Sequence, residues 1–168
     1  MSVLKAEQDA LDLLDKSWWT SDRSEPLPVE PMDLARGLGI KVREVFLPSD
    51  ESGNIVMNAF GEAIISLNRS DHPNRQRFTC AHEIGHYSMR RRYQGSSSQT
   101  FTDYRTVLAG LGTDGDEIYA NQFAAALLMP AHLVKRGVRQ GASAEKLARR
   151  FGTSVQAMEV RLRNLKLG

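Results

Sequence analysis

The sequence predicts an α+β domain, in which a small antiparallel three-stranded sheet packs on helices and a C-terminal helix-turn-helix-like pair follows. Three observations predict it. Apolar residues recur at helical spacing near the N-terminus and again on both sides of residue 100. Three short runs of strand character cluster between residues 40 and 67, separated by turn residues. Residues 144–166 hold two short helical stretches on either side of Gly152-Thr153-Ser154.

Residues 4–19 form the first expected helix, with Leu4, Leu11, Leu14 and Trp18 marking its apolar side. Residues 21–31 are rich in Pro, Ser and acid and read as a loop. A short helix follows over 31–38 and stops at Gly37 and Gly39. The first strand expectation is 40–47, where Ile40, Val42 and Val45 alternate with Lys41, Arg43 and Glu44. The second is 54–60. The third is 63–67, reached through a tight turn at Gly61-Glu62. Pro73 suits the first turn of a helix that runs to about residue 92. Residues 94–115 make a long Ser-, Thr- and Gly-rich connection, with a short helix expected around 104–108; connections of this length are usually functional or mobile. A strongly apolar helix over 116–129 ends at Pro130. The tail helices are expected over 144–151 and from Ser154 to about residue 166. A Thr153-x-x-Gln156 capping box opens the second.

The chain has 168 residues, 41% hydrophobic and 25% charged, which suits one globular domain with a small appended part. Cys80 is the single cysteine, so an intramolecular disulfide is excluded and a reducing compartment fits. The first 20 residues are acidic and amphipathic and do not read as a signal peptide. No stretch approaches the roughly 20 apolar residues that cross a bilayer, so the cytoplasm is expected and a membrane partner is not. Charge is uneven. Residues 133–168 carry nine basic residues against two acids, a net +7, while residues 1–132 carry 13 basic and 18 acidic, a net −5. Such a tail reads either as a solvated helical face or as a surface for an acidic partner, DNA included.

The chemistry concentrates in His82-Glu83-Ile84-Gly85-His86. Histidines four apart share one helical face, about one turn apart, so two imidazole nitrogens reach one metal ion. Glu83 lies one position round from that face, placed to touch an activated water as general base without ligating. Gly85 costs roughly 1 kcal/mol of helix propensity relative to Ala, so its presence between the histidines implies close packing against another element. A hydrolytic zinc wants three protein ligands and an open position. Glu117 is the best third candidate, because Glu117, Ala120, Asn121 and Ala124 fall on one helical face whose small residues allow close approach. Asp116 is the alternative ligand and a helix cap; Glu117 also reads as an acid stabilising a helix N-terminus. Candidate oxyanion or substrate contacts are Tyr87, Tyr119, Asn121 and His132. Cys80 and the two tryptophans read as core or cover residues, and His72 as a helix start.

The run Arg77-Phe78-Thr79-Cys80-Ala81-His82-Glu83-Ile84-Gly85-His86 precedes a second motif. That motif is Glu117-x-x-Ala120-Asn121-x-Phe123-Ala124-Ala125-x-Leu127-Leu128-Met129-Pro130. Together they resemble the ImmA/IrrE metallopeptidases, and the similarity extends from about residue 31 to 167. The resemblance implies a zincin-like fold, metal ligands His82, His86 and Glu117, and a catalytic Glu83. The expected division is a metallopeptidase domain over residues 1–132 and a basic C-terminal helical subdomain, 133–168, packed on it. The resemblance also implies an intracellular zinc endopeptidase whose substrate is a helix-turn-helix repressor, with derepression of prophage, mobile-element or stress genes as the outcome. Manganese is the alternative metal, though nitrogen and oxygen donors with an open position favour zinc. The rival function is a DNA- or repressor-binding regulator without catalysis, with the basic tail as its DNA contact.

Overall fold

A 21-residue helix, α3 (Pro73–Tyr93), carries the histidine motif and packs against both the sheet and other helices. The computed structural model describes residues 3–20, 24–58, 60–93, 101–106 and 115–167. Proline stands in the first turn of α3, where its missing N–H costs nothing. His72 precedes it, and its Nδ1 accepts a hydrogen bond from the Asn74 amide at 3.1 Å, which caps the helix start. Before it come α1 (Val3–Ser17) and α2 (Pro31–Gly37). After it come α4 (Gly115–Leu128), α5 (Ala131–Arg139), α6 (Ala144–Phe151) and α7 (Val155–Asn164).

The sheet holds β1 (Lys41–Val45), β2 (Glu51–Met57), β3 (Ala63–Asn68) and β4 (Phe101–Thr106), in the order β1-β3-β2-β4. The expected α+β class holds, but the sheet is mixed and has four strands. β2 and β3 form the antiparallel hairpin. Asn58 ties its turn by accepting from the Phe60 and Glu62 amides, and Gly61 adopts φ 80°, a left-handed geometry that suits glycine. β1 lies beside β3 rather than β2, so the first and third strands run parallel. Chain order suggests neighbours, but here β3 takes an interior place, with five of its six residues buried and an apolar face of Ala63, Ile65 and Leu67. The edge strand β1 has no buried residue. The fourth strand falls inside the long connection. Residues 104–106 belong to it rather than to the expected short helix, and 107–108 lie outside the described residues. Its Thr- and aromatic-containing sequence has strand propensity that the surrounding Ser- and Gly-rich composition obscures.

Two glycines fix how closely α3 is held. A Cβ on Gly53 of β2 would lie 2.6 Å from the Thr79 methyl and 2.7 Å from the Ser66 carbonyl oxygen. A Cβ on Gly85 would lie 3.1 Å from the Ala120 Cα and 3.3 Å from its carbonyl oxygen. The sheet therefore presses on one side of α3 and α4 on another. Along this seam Cys80, Ala81, Ile84, Ala120, Phe123 and Ala124 are all buried.

The N-terminal helix braces the far side of α4. Leu4 is exposed, and the buried face of α1 runs through Ala6, Ala10 and Leu14 instead. Asp9 of α1 accepts a 2.6 Å hydrogen bond from the Tyr119 hydroxyl of α4 and pairs with Arg92 of α3 at 2.7 Å. Trp18 and Trp19 pack against the core as cover residues.

The tail has three helices rather than two. Pro130 ends α4 and at once serves as the N-cap position of α5, whose Leu133, Val134 and Gly137 are buried. The capping box also shifts by one residue. Gly152 closes α6 with φ 63°, and the Thr153 amide bonds back to the Ala148 carbonyl, so Thr153 completes α6. Ser154 then caps α7, accepting from the Ala157 amide at 3.1 Å. Leu147, Phe151 and Met158 join the same buried cluster as the helices before residue 133. Arg161 is 3% exposed and is held by Glu7 at 2.6 Å and by the Met129 carbonyl at 3.0 Å. It therefore locks the tail to α1 and does not belong to the exposed basic face, which keeps Lys146, Arg149, Arg150 and Arg163. Among the described residues no helix is long and apolar enough to cross a membrane.

Gly85→Val is expected to force α4 off α3 and destabilise the fold by about 1–3 kcal/mol, the usual cost of overpacking, read as a lowered melting temperature. An unchanged melting temperature would show that the two helices have room to spare. Cys80 is fully buried, and burial, with help from the nearby Glu83 charge, pushes its thiol up to about 12. Iodoacetamide at neutral pH is expected to label the denatured chain and leave the native one unmodified.

Candidate metal centre

The close approach at Gly85 sets the first turn of α4 opposite the histidine pair of α3. His82 and His86 are 0% and 1% exposed, and their rings meet edge to face with centroids 4.7 Å apart. Their Nε2 atoms lie 2.9 Å apart. Glu117 reaches across from α4: Oε2 is 3.4 Å from His82 Nε2, and Oε1 is 3.0 Å from His86 Nε2. The three donor atoms lie within 4.8 Å of one another.

Those distances, 2.9, 3.0 and 3.4 Å, bring the donors close enough to share an ion, with the two shorter ones opening by a few tenths of an ångström to take it. Two donors each at about 2.0–2.1 Å from a tetrahedral centre stand roughly 3.3–3.4 Å apart. The donor set, two neutral imidazoles and one carboxylate, suits zinc and leaves a coordination position for solvent or substrate. Burial pushes the Glu117 carboxyl up, but hydrogen bonding and charge from His82 and His86 outweigh it and hold it well below the usual carboxylate range. Glu117 is therefore ionised at neutral pH, the form a cation needs.

Asn121 completes the arrangement one turn further along α4. Its Oδ1 lies 3.0 Å from His82 Nδ1. An amide oxygen accepts, so this contact places the proton of His82 on Nδ1 and leaves the Nε2 lone pair facing Glu117. Sequence reading grouped Asn121 with oxyanion or substrate contacts, and the geometry makes it a positioning residue. The signal was present in the sequence: Glu117 and Asn121 are four apart and share the face that meets the histidines.

The other residues singled out from the sequence separate from this cluster. Tyr119 sits beside the pair in sequence, but its hydroxyl donates to Asp9 on the opposite side of α4. Tyr87 accepts a hydrogen bond from Arg91 at 3.1 Å, with the Arg91 guanidinium over its ring. His132 opens α5, pairs with Glu25 and stands edge-on to Trp19. Each of these three has a structural partner of its own. Asp116 also lies outside the three-residue cluster that could hold a metal. Glu83 is 1% exposed, one position round α3 from His82. Asp9 is the residue that sequence reading passed over. It bonds to the elements that carry both halves of the cluster, and as an acid in an amphipathic helix it had no distinguishing signal.

A family model described as the IrrE N-terminal-like domain, peptidase M78, matches residues 35–163. The matched span runs from α2 to the end of α7 and contains His82, His86 and Glu117 together with Glu83 and Asn121. No curated protein matches the chain. Among solved structures, a Mycobacterium tuberculosis transcriptional regulator superposes with a TM-score of 0.61 at 18% identity. That similarity covers 94% of this chain and 46% of the regulator, so the chain spans about half of that protein's length.

Asn121→Ala is expected to lower zinc affinity about 10–100-fold, the usual consequence of removing a partner that orients a ligating histidine. Competition against a zinc-selective dye reads the change, and an affinity within twofold of wild type would remove Asn121 from the centre.

Proposed function

The chain belongs to the ImmA/IrrE family of peptidases, and on that premise we propose that it is a zinc-dependent endopeptidase acting on a helix-turn-helix repressor. The convergence of His82, His86 and Glu117 from two helices, close enough to share one ion, is the observation that carries the metalloenzyme reading. Family membership supports peptide hydrolysis in general. The repressor as substrate, and release of the genes it silences, rest on the resemblance of the two motifs to that family.

The residues divide the work as follows. His82 and His86 supply neutral nitrogen donors and Glu117 the anionic oxygen. Asn121 keeps His82 in the tautomer that ligates. When bound, zinc polarises the scissile carbonyl and acidifies water. Glu83 accepts the proton from the attacking water on a carboxylate oxygen and returns it to the leaving amine. The burial of Glu83 and both histidines keeps bulk water from competing for these protons. The exposed part of Glu117, at 16% of its side chain, marks the side from which a peptide reaches the centre.

Glu83→Gln is expected to bind zinc as wild type does and to lose cleavage of the repressor encoded nearest to it by about 10²–10⁴-fold, the range of general acid–base contributions. Fragment masses, with and without a chelator, provide the readout. Undiminished cleavage by Glu83→Gln would remove Glu83 as the base. Relief of repression by Glu83→Gln without any fragment would favour the non-catalytic, repressor-binding reading.

A further inference from the structure

Beside the metal centre lies a recess of about 780 Å³, between the first half of α3, the second half of α4 and the α7 helix. Neither the three converging side chains nor Glu83 lines it. It therefore holds no reacting bond, yet its volume is that of sites for drug-sized ligands. Its apolar wall comes from Phe78, Ala125, Met129, Ala157 and Val160.

The charged side chains on its wall are basic, each with an acid partner outside the wall, Asp71 for Arg75 and Glu7 for Arg161. His72, Arg75 and Arg161 line it, and no aspartate or glutamate does among the described residues. Arg161 is already held by Glu7 and the Met129 carbonyl. Arg75 bonds to Ser52 and pairs with Asp71 through Nε, at 2.7 and 3.2 Å, and no hydrogen bond engages its two terminal nitrogens among the described residues. Thr153 adds a hydroxyl that is buried with no hydrogen-bond partner among the described residues. A hydroxyl left so is costly unless a ligand or water satisfies it. Asn121 also lines the recess while its Oδ1 holds His82.

We infer that this recess binds a small amphipathic anion, with an apolar body against Phe78, Met129 and Val160 and an anionic head toward Arg75. An occupant that touches the Asn121 amide changes how firmly that amide holds His82. Ligand and zinc are therefore coupled, and by thermodynamic reciprocity each shifts the other's affinity by the same factor. The recess stands independently of the peptidase reading, whereas the coupling rests on the metal centre proposed above.

Fluorescence titration of the full chain with 8-anilinonaphthalene-1-sulfonate tests both parts. One molecule is expected to bind per chain below the melting transition, with displacement by decanoate at least about tenfold more effective than by decylamine. Arg75→Gln is expected to abolish that preference. Ala157→Phe, which fills the recess, and Val160→Trp, at its more exposed rim, are expected to abolish probe binding without lowering the melting temperature. Equal displacement by the acid and the amine would overturn the anion assignment. Probe binding that survives both filling variants would place the probe elsewhere and overturn the site. Zinc is expected to shift the probe's affinity in wild type and not in Asn121→Ser. A shift absent from wild type, although zinc binds, overturns the coupling alone. Failure of zinc to bind at all contradicts the metal centre and leaves the probe result standing.

Discussion

At Gly85 the α3 and α4 helices come so close that a Cβ would stand 3.1 Å from the Ala120 Cα, and the geometry of the centre follows from that approach. A helix carrying histidines one turn apart offers two donors. The third must come from another element held at a fixed distance and rotation. Small residues along the α4 face, Ala120 and Ala124, let the backbones meet, and Glu117 one turn before Ala120 is brought over both rings. The glycine gives up roughly 1 kcal/mol of helix propensity and gains this approach. The sheet holds the same helix from another side at Gly53, so α3 is fixed between two rigid elements.

The rest of the molecule reads as support for that contact. Asp9 ties α1 to both α3 and α4 through Arg92 and Tyr119. Arg161 ties α7 to α1 and to the end of α4, and Arg77 of α3 reaches the Gly152 carbonyl at the turn between α6 and α7. These are buried or half-buried charge-assisted contacts, whose loss leaves an uncompensated charge in the interior and is more damaging than loss of a surface pair. The histidine tautomer is fixed in the same manner, by an amide on a helix that the core already holds in place.

Much of this was legible in the sequence, and the reasons differ by element. The α3 and α4 helices could be read because their punctuation, Pro73 and Pro130, and the His82–His86 spacing are local signals. Close packing at Gly85 could be read because a glycine between two functional residues needs a physical reason. Sheet order could not, since β1 and β2 follow each other in sequence but are separated in space by β3, and nothing local encodes that. The α5 helix was hidden because Pro130 is at once a stop and a start. The partners of Tyr119 and His132 could not be read, because nothing local in the sequence encodes them. Those partners, Asp9 and Glu25, lie more than a hundred residues away in sequence. Asn121 shows the converse, a residue whose place was evident and whose role only geometry defined.

X-ray absorption at the zinc edge of the loaded chain examines the ligand set without reference to any substrate. Two imidazole nitrogens and light oxygen donors at about 2.0–2.1 Å, with no sulfur at about 2.3 Å, are predicted for His82, His86, Glu117 and an open position. A sulfur donor, a single imidazole, or a six-coordinate shell of oxygen alone would contradict it.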